Sequence, residues 1–168
     1  FAIIVPSLIL GIIKYRSLQL CSMLYNKLVD TLYHKKVRGA TTMKEVLDYL
    51  KASGTFYLAT NEEDQPRVRP FGAVCEFEGK LYITTNNKKA VFAQMKKNPK
   101  IEISCMNKGT WLRLEAEAIH DDRREARVAM MEDNKASLSN LYSVDDGIFE
   151  VLYLKNATAA IYSFTCLL

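Results

Sequence analysis

The sequence predicts a mostly β protein with inserted helices, folded as a small antiparallel barrel. Two observations carry that expectation. Runs such as "IEISCM" (101–106) and "WLRLEAEAIH" (111–120) alternate apolar and polar residues with the period of a half-buried strand. Short turns bearing glycine, "EGK" and "NKGT", join neighbouring runs, so successive strands pair antiparallel. Six short strands of this kind, mostly hairpin-connected, close most economically into a barrel.

The elements follow in order from Met43. Val46, Leu47 and Leu50 fall on one helical face, Thr41 or Thr42 can cap that helix, and Gly54 can end it. "TFYLAT" (55–60) is a strand, "NEEDQ" a polar turn, and "PRVRPFGAVCEF" (66–77) a second strand leading through "EGK" into "LYITT" (81–85). In "NNKKAVFAQMKKNPK" the period turns helical, with Val91, Phe92 and Met95 on one face and Asn98-Pro99 as the stop. In 111–120, Leu112, Leu114, Ala116 and Ala118 form the core face, and Trp111, Arg113, Glu115 and Glu117 the other. "DDRREARVAMMED" reads as a helix capped near Asp121 or Asp122. "IFEVLYL" (148–154) and "TAAIYSF" (158–164) close the fold as a pair of strands.

The 168 residues suit one folded domain, here expected over 43–168, behind an N-terminal extension of 1–42. The apolar run "FAIIVPSLILGII" is shorter than the roughly 20 residues that span a bilayer, and it lacks the flanks of a signal peptide. Leu20, Met23, Leu24, Leu28 and Leu32 repeat near helical spacing. The extension is therefore read as a docking helix, as non-native sequence ahead of Met43, or as a membrane-proximal anchor through residues 1–16. Of the net charge of +4, the first 42 residues supply six basic and one acidic side chain, leaving 17 basic against 18 acidic in the domain. That balance argues against a nucleic-acid binder. Cys21, Cys75, Cys105 and Cys166 are widely spaced and histidine occurs only at 34 and 120, so no metal site is expected. Cys75 and Cys105 read as buried thiols of a reducing, cytoplasmic setting.

Two stretches point to an anion. In "QPRVRPFGAV", Arg67 and Arg69 project from one strand face about 7 Å apart. In "TTNNKK", Thr84, Thr85, Asn86, Lys88 and Lys89 sit where a strand passes into a helix, whose free N–H groups and positive dipole end favour an anion. Two lysines at that end oppose the dipole, which something negative would offset. The "EFEGK" turn is expected to bring the arginine strand beside the lysine turn. No G-x-S-x-G, P-loop or G-x-G-x-x-G pattern competes, and no catalytic acid or base stands out. His120 reads as a strand-end histidine bonded to an acid, and Asp145-Asp146-Gly147 as a turn.

From Met43 to Thr165 the chain resembles the pyridoxamine 5′-phosphate oxidase-like family of FMN-binding split barrels, close to nitroimidazole-resistance-type flavoproteins. The resemblance rests on "FYLAT…QPRVRPFGAV", "GKLYITTNNKKAVFAQMKKNPKIEIS", "WLRLEAEAIHDDRREA" and "YSVDDGIFEVLYL", in family order. It implies an FMN-dependent oxidoreductase acting on a small molecule, and a homodimer with FMN between subunits. It also implies cofactor contacts from Arg67, Val68, Arg69, Pro70, Thr84, Thr85, Asn86, Lys88 and Lys89. Lysine stands here where the family's phosphate clamp has arginine, keeping the charge and losing the bidentate fork. The arginine-rich C-terminal substrate segment of the true oxidases has no counterpart before "YSFTCLL", so the vitamin B6 reaction itself is not expected. The alternatives are a non-catalytic flavin-binding or regulatory module, or a relative using deazaflavin or haem.

Overall fold

A computed structural model describes residues 35–36 and 42–163. The chain divides into two units, of which the one spanning Lys36–Tyr162 is described below. The expectations for residues 1–34, for Cys166 and for the last residue of "TAAIYSF" lie outside the described residues.

The elements are β1 (Lys35–Lys36), α1 (Met43–Ser53), β2 (Phe56–Glu62), β3 (Gln65–Phe71), β4 (Val74–Phe77), β5 (Lys80–Asn86) and α2 (Ala90–Lys97). They continue with β6 (Lys100–Asn107), β7 (Thr110–Asp121), α3 (Arg124–Asp133), α4 (Lys135–Leu138) and β8 (Phe149–Ser163). α1 starts in a capping box: the Glu45 amide donates to Thr42 Oγ1 at 3.2 Å, and the Thr42 amide to Glu45 Oε2 at 2.8 Å. Gly54 ends it at a φ of 69°, a left-handed conformation costly to any side chain.

Seven strands run in the order β3-β2-β6-β7-β8-β5-β4. Two-residue turns set the registers of β4–β5 and β6–β7. In each, a residue and the glycine after it both take positive φ, Glu78-Gly79 at 50° and 71°, Lys108-Gly109 at 47° and 77°. The two ends of the path, β3 and β4, are consecutive in sequence and separated only by Gly72 and Ala73. Three Cα steps reach at most about 11 Å, so the sheet must curl until its ends meet. The result is a barrel that is split where β3 and β4 face each other without pairing.

This corrects the expected strand over 66–77. β2 begins at Phe56, which pairs with Phe71, so β3 runs out of partner there and the chain crosses to pair with β5 instead. The arginine strand therefore reaches the lysine turn across the split, and not through the "EFEGK" hairpin. A second correction concerns the closing strands, which form one 15-residue β8. Asn156 takes a φ of 53°, and the positions packed against the barrel core change from Leu152 and Leu154 to Ala159 and Ile161. That one-residue change of phase is a bulge, so the polar "KNAT" bends the strand without ending it.

The barrel interior holds Phe56, Leu58, Ile83, Ile103, Leu112, Leu114 and Leu152, each at most 1% exposed and worth about 1.5–3 kcal/mol buried. α1 closes one end, where Tyr49 Oη lies 2.8 Å from Thr110 Oγ1. α2 closes the other, with Val91 and Met95 buried and Phe92 packed on the core. A second cluster fills the outer side of β4, β5 and β8 under α3 and α4, around Tyr82, Met130, Phe149 and Val151. Cys75 and Cys105 are buried free thiols, and burial pushes Cys75 up to about 12.

α3 does not take its cap from Asp121 or Asp122. Its N-cap is Arg123, without a side-chain cap, because Asp121 is drawn into another network. Tyr82 Oη donates to Asp121 Oδ2 at 2.9 Å, and Arg123 Nη2 donates to the same oxygen at 2.8 Å. The Arg123 guanidinium holds the Asp121 carboxyl down to about 2, while burial, then Asp121, pushes the Tyr82 phenol up to about 12. A depressed carboxylate stabilises the fold above its ordinary value, and that contribution is lost as pH falls through the folded one. Asp121→Asn is expected to lower unfolding free energy by about 1–3 kcal/mol at neutral pH, the gap to the parent closing between about pH 4 and pH 2. Urea unfolding at both pH extremes measures it; a gap that persists at pH 2 would assign the cost to shape and not to charge.

Candidate functional site

Register decides where the two arginines go. Arg69 pairs with Leu58 and Arg67 with Thr60, so both face inward as their spacing predicts. Beyond that they differ. Arg67 is exposed and forms an ion pair with Glu62, its Nε 2.8 Å from Oε2. Arg69 meets only neutral acceptors: Nη1 donates to Thr60 Oγ1 at 2.7 Å and to the Arg67 carbonyl at 3.2 Å, and Nη2 to Gln94 Oε1 at 2.7 Å. No carboxylate comes within ion-pair distance of it among the described residues. Burial, then the charge of Arg67, lowers its pKa from the usual arginine value. A guanidinium nevertheless stays charged and carries five N–H donors. Here Nη1 and Nη2 are engaged, and Nε–H makes no hydrogen bond among the described residues.

Thr60 and Gln94 hold that geometry, and the Thr60 hydroxyl itself donates to Gln94 Oε1 at 2.7 Å. Both are buried, at 3% and 8% exposure. Neither was among the expected site residues. Their signal was nonetheless in the sequence, since Thr60 occupies an inward strand position after Phe56 and Leu58. Gln94 likewise interrupts the apolar stripe of Val91 and Met95.

The β5–α2 turn supplies the second half. Thr84 and Thr85 are buried, and Thr84 Oγ1 donates to the Glu150 carbonyl at 2.8 Å. Asn86 folds back on the turn, its Oδ1 accepting the Lys88 amide at 2.7 Å and its carbonyl the Lys89 amide at 3.0 Å. Lys89 is the N-cap of α2, with no side-chain cap and no acid in the first turn. The first amides of the helix thus keep their donors and their partial positive charge.

Across the split the two halves share a cleft of about 200 Å³. Arg69, Pro70, Thr84, Thr85 and Lys89 line it, five of the nine residues expected to bind a cofactor. The other four stand off it. Arg67 is committed to Glu62, Val68 points outward at 64% exposure, Asn86 shapes the turn, and Lys88 is exposed beside it. The opposite wall is apolar: Val91, Leu138, Leu141 and Tyr142. The last two were not anticipated, because the segment after α4 carries no strand or helix period. It is nevertheless pinned, as the Asp146 carboxylate accepts the amides of Ser143, Ile148 and Phe149, and Arg124 pairs with Asp145. These contacts make Asp145-Asp146-Gly147 the turn that the sequence predicted.

A larger groove of about 500 Å³ crosses the outer face of the sheet, but Glu102, Glu115 and Glu117 line it and would repel an anion. Trp111, on that outer face, stacks on Tyr162 with ring centroids 5.2 Å apart, and Arg113 pairs with Glu102. His120 meets the expected acid, its Nε2 2.7 Å from Glu150 Oε2. Among the described residues no cluster of metal-ligating side chains occurs, and no helix is long and apolar enough to cross a membrane.

The chain is a split antiparallel barrel with a cationic cleft at its split, and sequence comparison names the family. The profile described as pyridoxamine 5′-phosphate oxidase matches residues 42–159, and the chain belongs to that family. A NimC/NimA family protein from Clostridium acetobutylicum is 55% identical, with a TM-score of 0.71 over 80% of this chain and 93% of the other. An FAD-binding protein from Mesorhizobium loti shares the fold at 13% identity, with a TM-score of 0.52 over 73% of this chain and 96% of its own. The haem storage protein HutZ from Vibrio cholerae does so at 14% identity and a TM-score of 0.55, over 72% and 96%. Comparison with curated proteins gave no significant match.

The cradle around Arg69 makes its own prediction. Gln94→Leu removes the acceptor shared by the Thr60 hydroxyl and the Arg69 guanidinium, and it is expected to lower stability by about 1–3 kcal/mol. Chemical denaturation against the parent checks this; an unchanged midpoint would mean that water replaces Gln94 freely.

Proposed function

We propose that this chain binds FMN, with the phosphate at the α2 N-terminus, and serves as an FMN-dependent oxidoreductase on a small molecule. One observation carries the reading: Arg69, Thr84, Thr85 and Lys89 converge on one cleft, and among the described residues neither Arg69 nor Lys89 forms an ion pair. The Thr85 hydroxyl, an ammonium group, an arginine edge and free helix amides are a donor set for a phosphate, while the Thr84 hydroxyl is spent on the Glu150 carbonyl. The apolar wall of Val91, Leu141 and Tyr142 suits a flat ring beyond it. Bound there, the flavin would supply the redox chemistry, and the chain the binding, orientation and charge.

Haem is the weaker reading. His120 is the histidine among the described residues; its Nε2 is bonded to Glu150 and its ring packs edge-on against Phe92, 5.1 Å between centroids. Ligation through Nε2 would have to break the Glu150 contact. The flavin reading asks no rearrangement of the cationic side chains.

The cleft also bears on assembly. Its volume of about 200 Å³ is below the roughly 300–1,000 Å³ of a typical ligand pocket. On the outer face of the same strand, Val68 and Pro70 lie beside Tyr57 of β2. Tyr57 is 53% exposed, Val68 64%, and Met106 on β6 62%. An apolar surface at the edge of an incomplete pocket fits a second copy of the chain, and we propose a homodimer that completes the site.

Protein purified without added cofactor is expected to show a flavin spectrum and to release a molecule with the mass of FMN. Lys89→Ala or Arg69→Ala should each weaken FMN by roughly ten- to hundredfold, and Lys88→Ala by less. A colourless protein that ignores added FMN would sink the reading. Sedimentation equilibrium is expected to give a dimer, and Val68→Asp a monomer with weakened FMN binding; a parent that sediments as a monomer would rule out the assembly.

A further inference from the structure

Behind the basic turn, four side chains from four elements meet at the end of the barrel. Asn87, the residue between Asn86 and Lys88, donates from Nδ2 to the Gly147 carbonyl at 2.8 Å and to Glu150 Oε1 at 2.9 Å. The other oxygen of Glu150 lies 2.7 Å from His120 Nε2 on β7. The His120 ring stands edge-on to Phe92 in the first turn of α2. The Asn87 amide is tied to the same strap, donating to the Ile148 carbonyl at 3.0 Å. Glu150 and His120 are largely enclosed, at 15% and 20% side-chain exposure, and Asn87 Oδ1 is buried without a partner.

We propose that Glu150 is a positioning residue for the anion site, acting through Asn87 on the turn that presents Lys89 and the first amides of α2. The inference rests on the reading of the cleft as an FMN phosphate site. Three features carry it. Asn87 has both its backbone and its side chain anchored, and Glu150 is its only side-chain partner among the described residues. The buried, unpaired Oδ1 shows that the side-chain amide is oriented for its donors, with its acceptor left unpaired. Finally, Glu150 is engaged on both oxygens and makes no ion pair with Lys88 or Lys89 among the described residues. Glu150 pairs across the sheet with Thr85, which lines the cleft, and a carboxylate free to swing there would weaken the charge that the cleft offers. Asn87 and His120 hold it away.

The test uses the full chain, with FMN affinity read by flavin fluorescence and local order by amide exchange at Asn87, Lys88 and Lys89. Glu150→Ala is expected to raise the Kd for FMN by about tenfold or more and to speed exchange at those three amides, with the β6 and β7 amides unchanged. Glu150→Gln keeps an acceptor for Asn87 and a polar contact for His120, so it should stay close to the parent in both measurements. Unchanged exchange in Glu150→Ala would overturn the proposal while leaving the FMN reading intact. Equal losses in Glu150→Gln would assign the effect to charge, and faster exchange throughout the barrel would assign it to general stability; both overturn positioning. A parent that does not bind FMN removes the functional reading, and the exchange data then decide by themselves whether Glu150 holds the turn.

Discussion

The architecture depends on one short connection. Gly72 and Ala73 join the two terminal strands of a seven-strand path and compel those ends to meet. Because the link spans only about 11 Å, the sheet curls into a barrel. β3 ends its pairing at Phe71, opposite Phe56, and β4 pairs with β5 and not with β3, so the barrel stays split. The cleft is the space this leaves. Its floor is the link itself, and its sides are the strand that went one way, with Arg69, and the strand that came back, with Thr84 and Thr85.

A second consequence concerns charge. α2 closes the barrel end over a layer that is polar: Thr60, Arg69 and Gln94 toward one side, Asn87, His120 and Glu150 toward the other. An apolar layer would have been cheaper, since each buried polar group must find a partner. The partners it finds are neutral around Arg69 and closed upon themselves around Glu150. Both arrangements leave Arg69 and Lys89 at the split with no ion pair among the described residues. That is a costly way to build a barrel end and an economical way to receive a phosphate.

How much of this was legible in the sequence follows from the range of each interaction. α1, α2 and the hairpins were readable because caps, turns and periodicity are local: Thr42, Gly54, Gly79 and Gly109 act within a few residues. The lysine end of the site was readable for the same reason, since a strand running into a helix places "TTNNKK" by itself. The break at Gly72 was not. "GAV" continues the strand pattern, and only the end of β2, ten and more residues earlier, decides that pairing stops there. Gln94 and Glu150 escaped for a related reason: each acts on a residue distant in sequence, and a single polar residue on an apolar stripe does not name its partner. The bulge at Asn156 hid in a segment whose composition is that of a turn.

The same strand carries the remaining step. β3 alternates Arg69 inward with Val68 outward, so the cleft and the exposed apolar face are two sides of one ribbon. As the edge of the path, β3 is held on one side by β2 alone. Its proline at 70 removes a backbone donor from that free edge, which guards against indiscriminate strand addition while leaving the outward face open. Under the proposed reading, a second copy packed on Val68 would stiffen the strand that aims Arg69. A ligand held by Arg69 would in turn favour the packed state. Assembly and cofactor binding are then linked by mass action through a single edge strand, and each strengthens the other without any further conformational change.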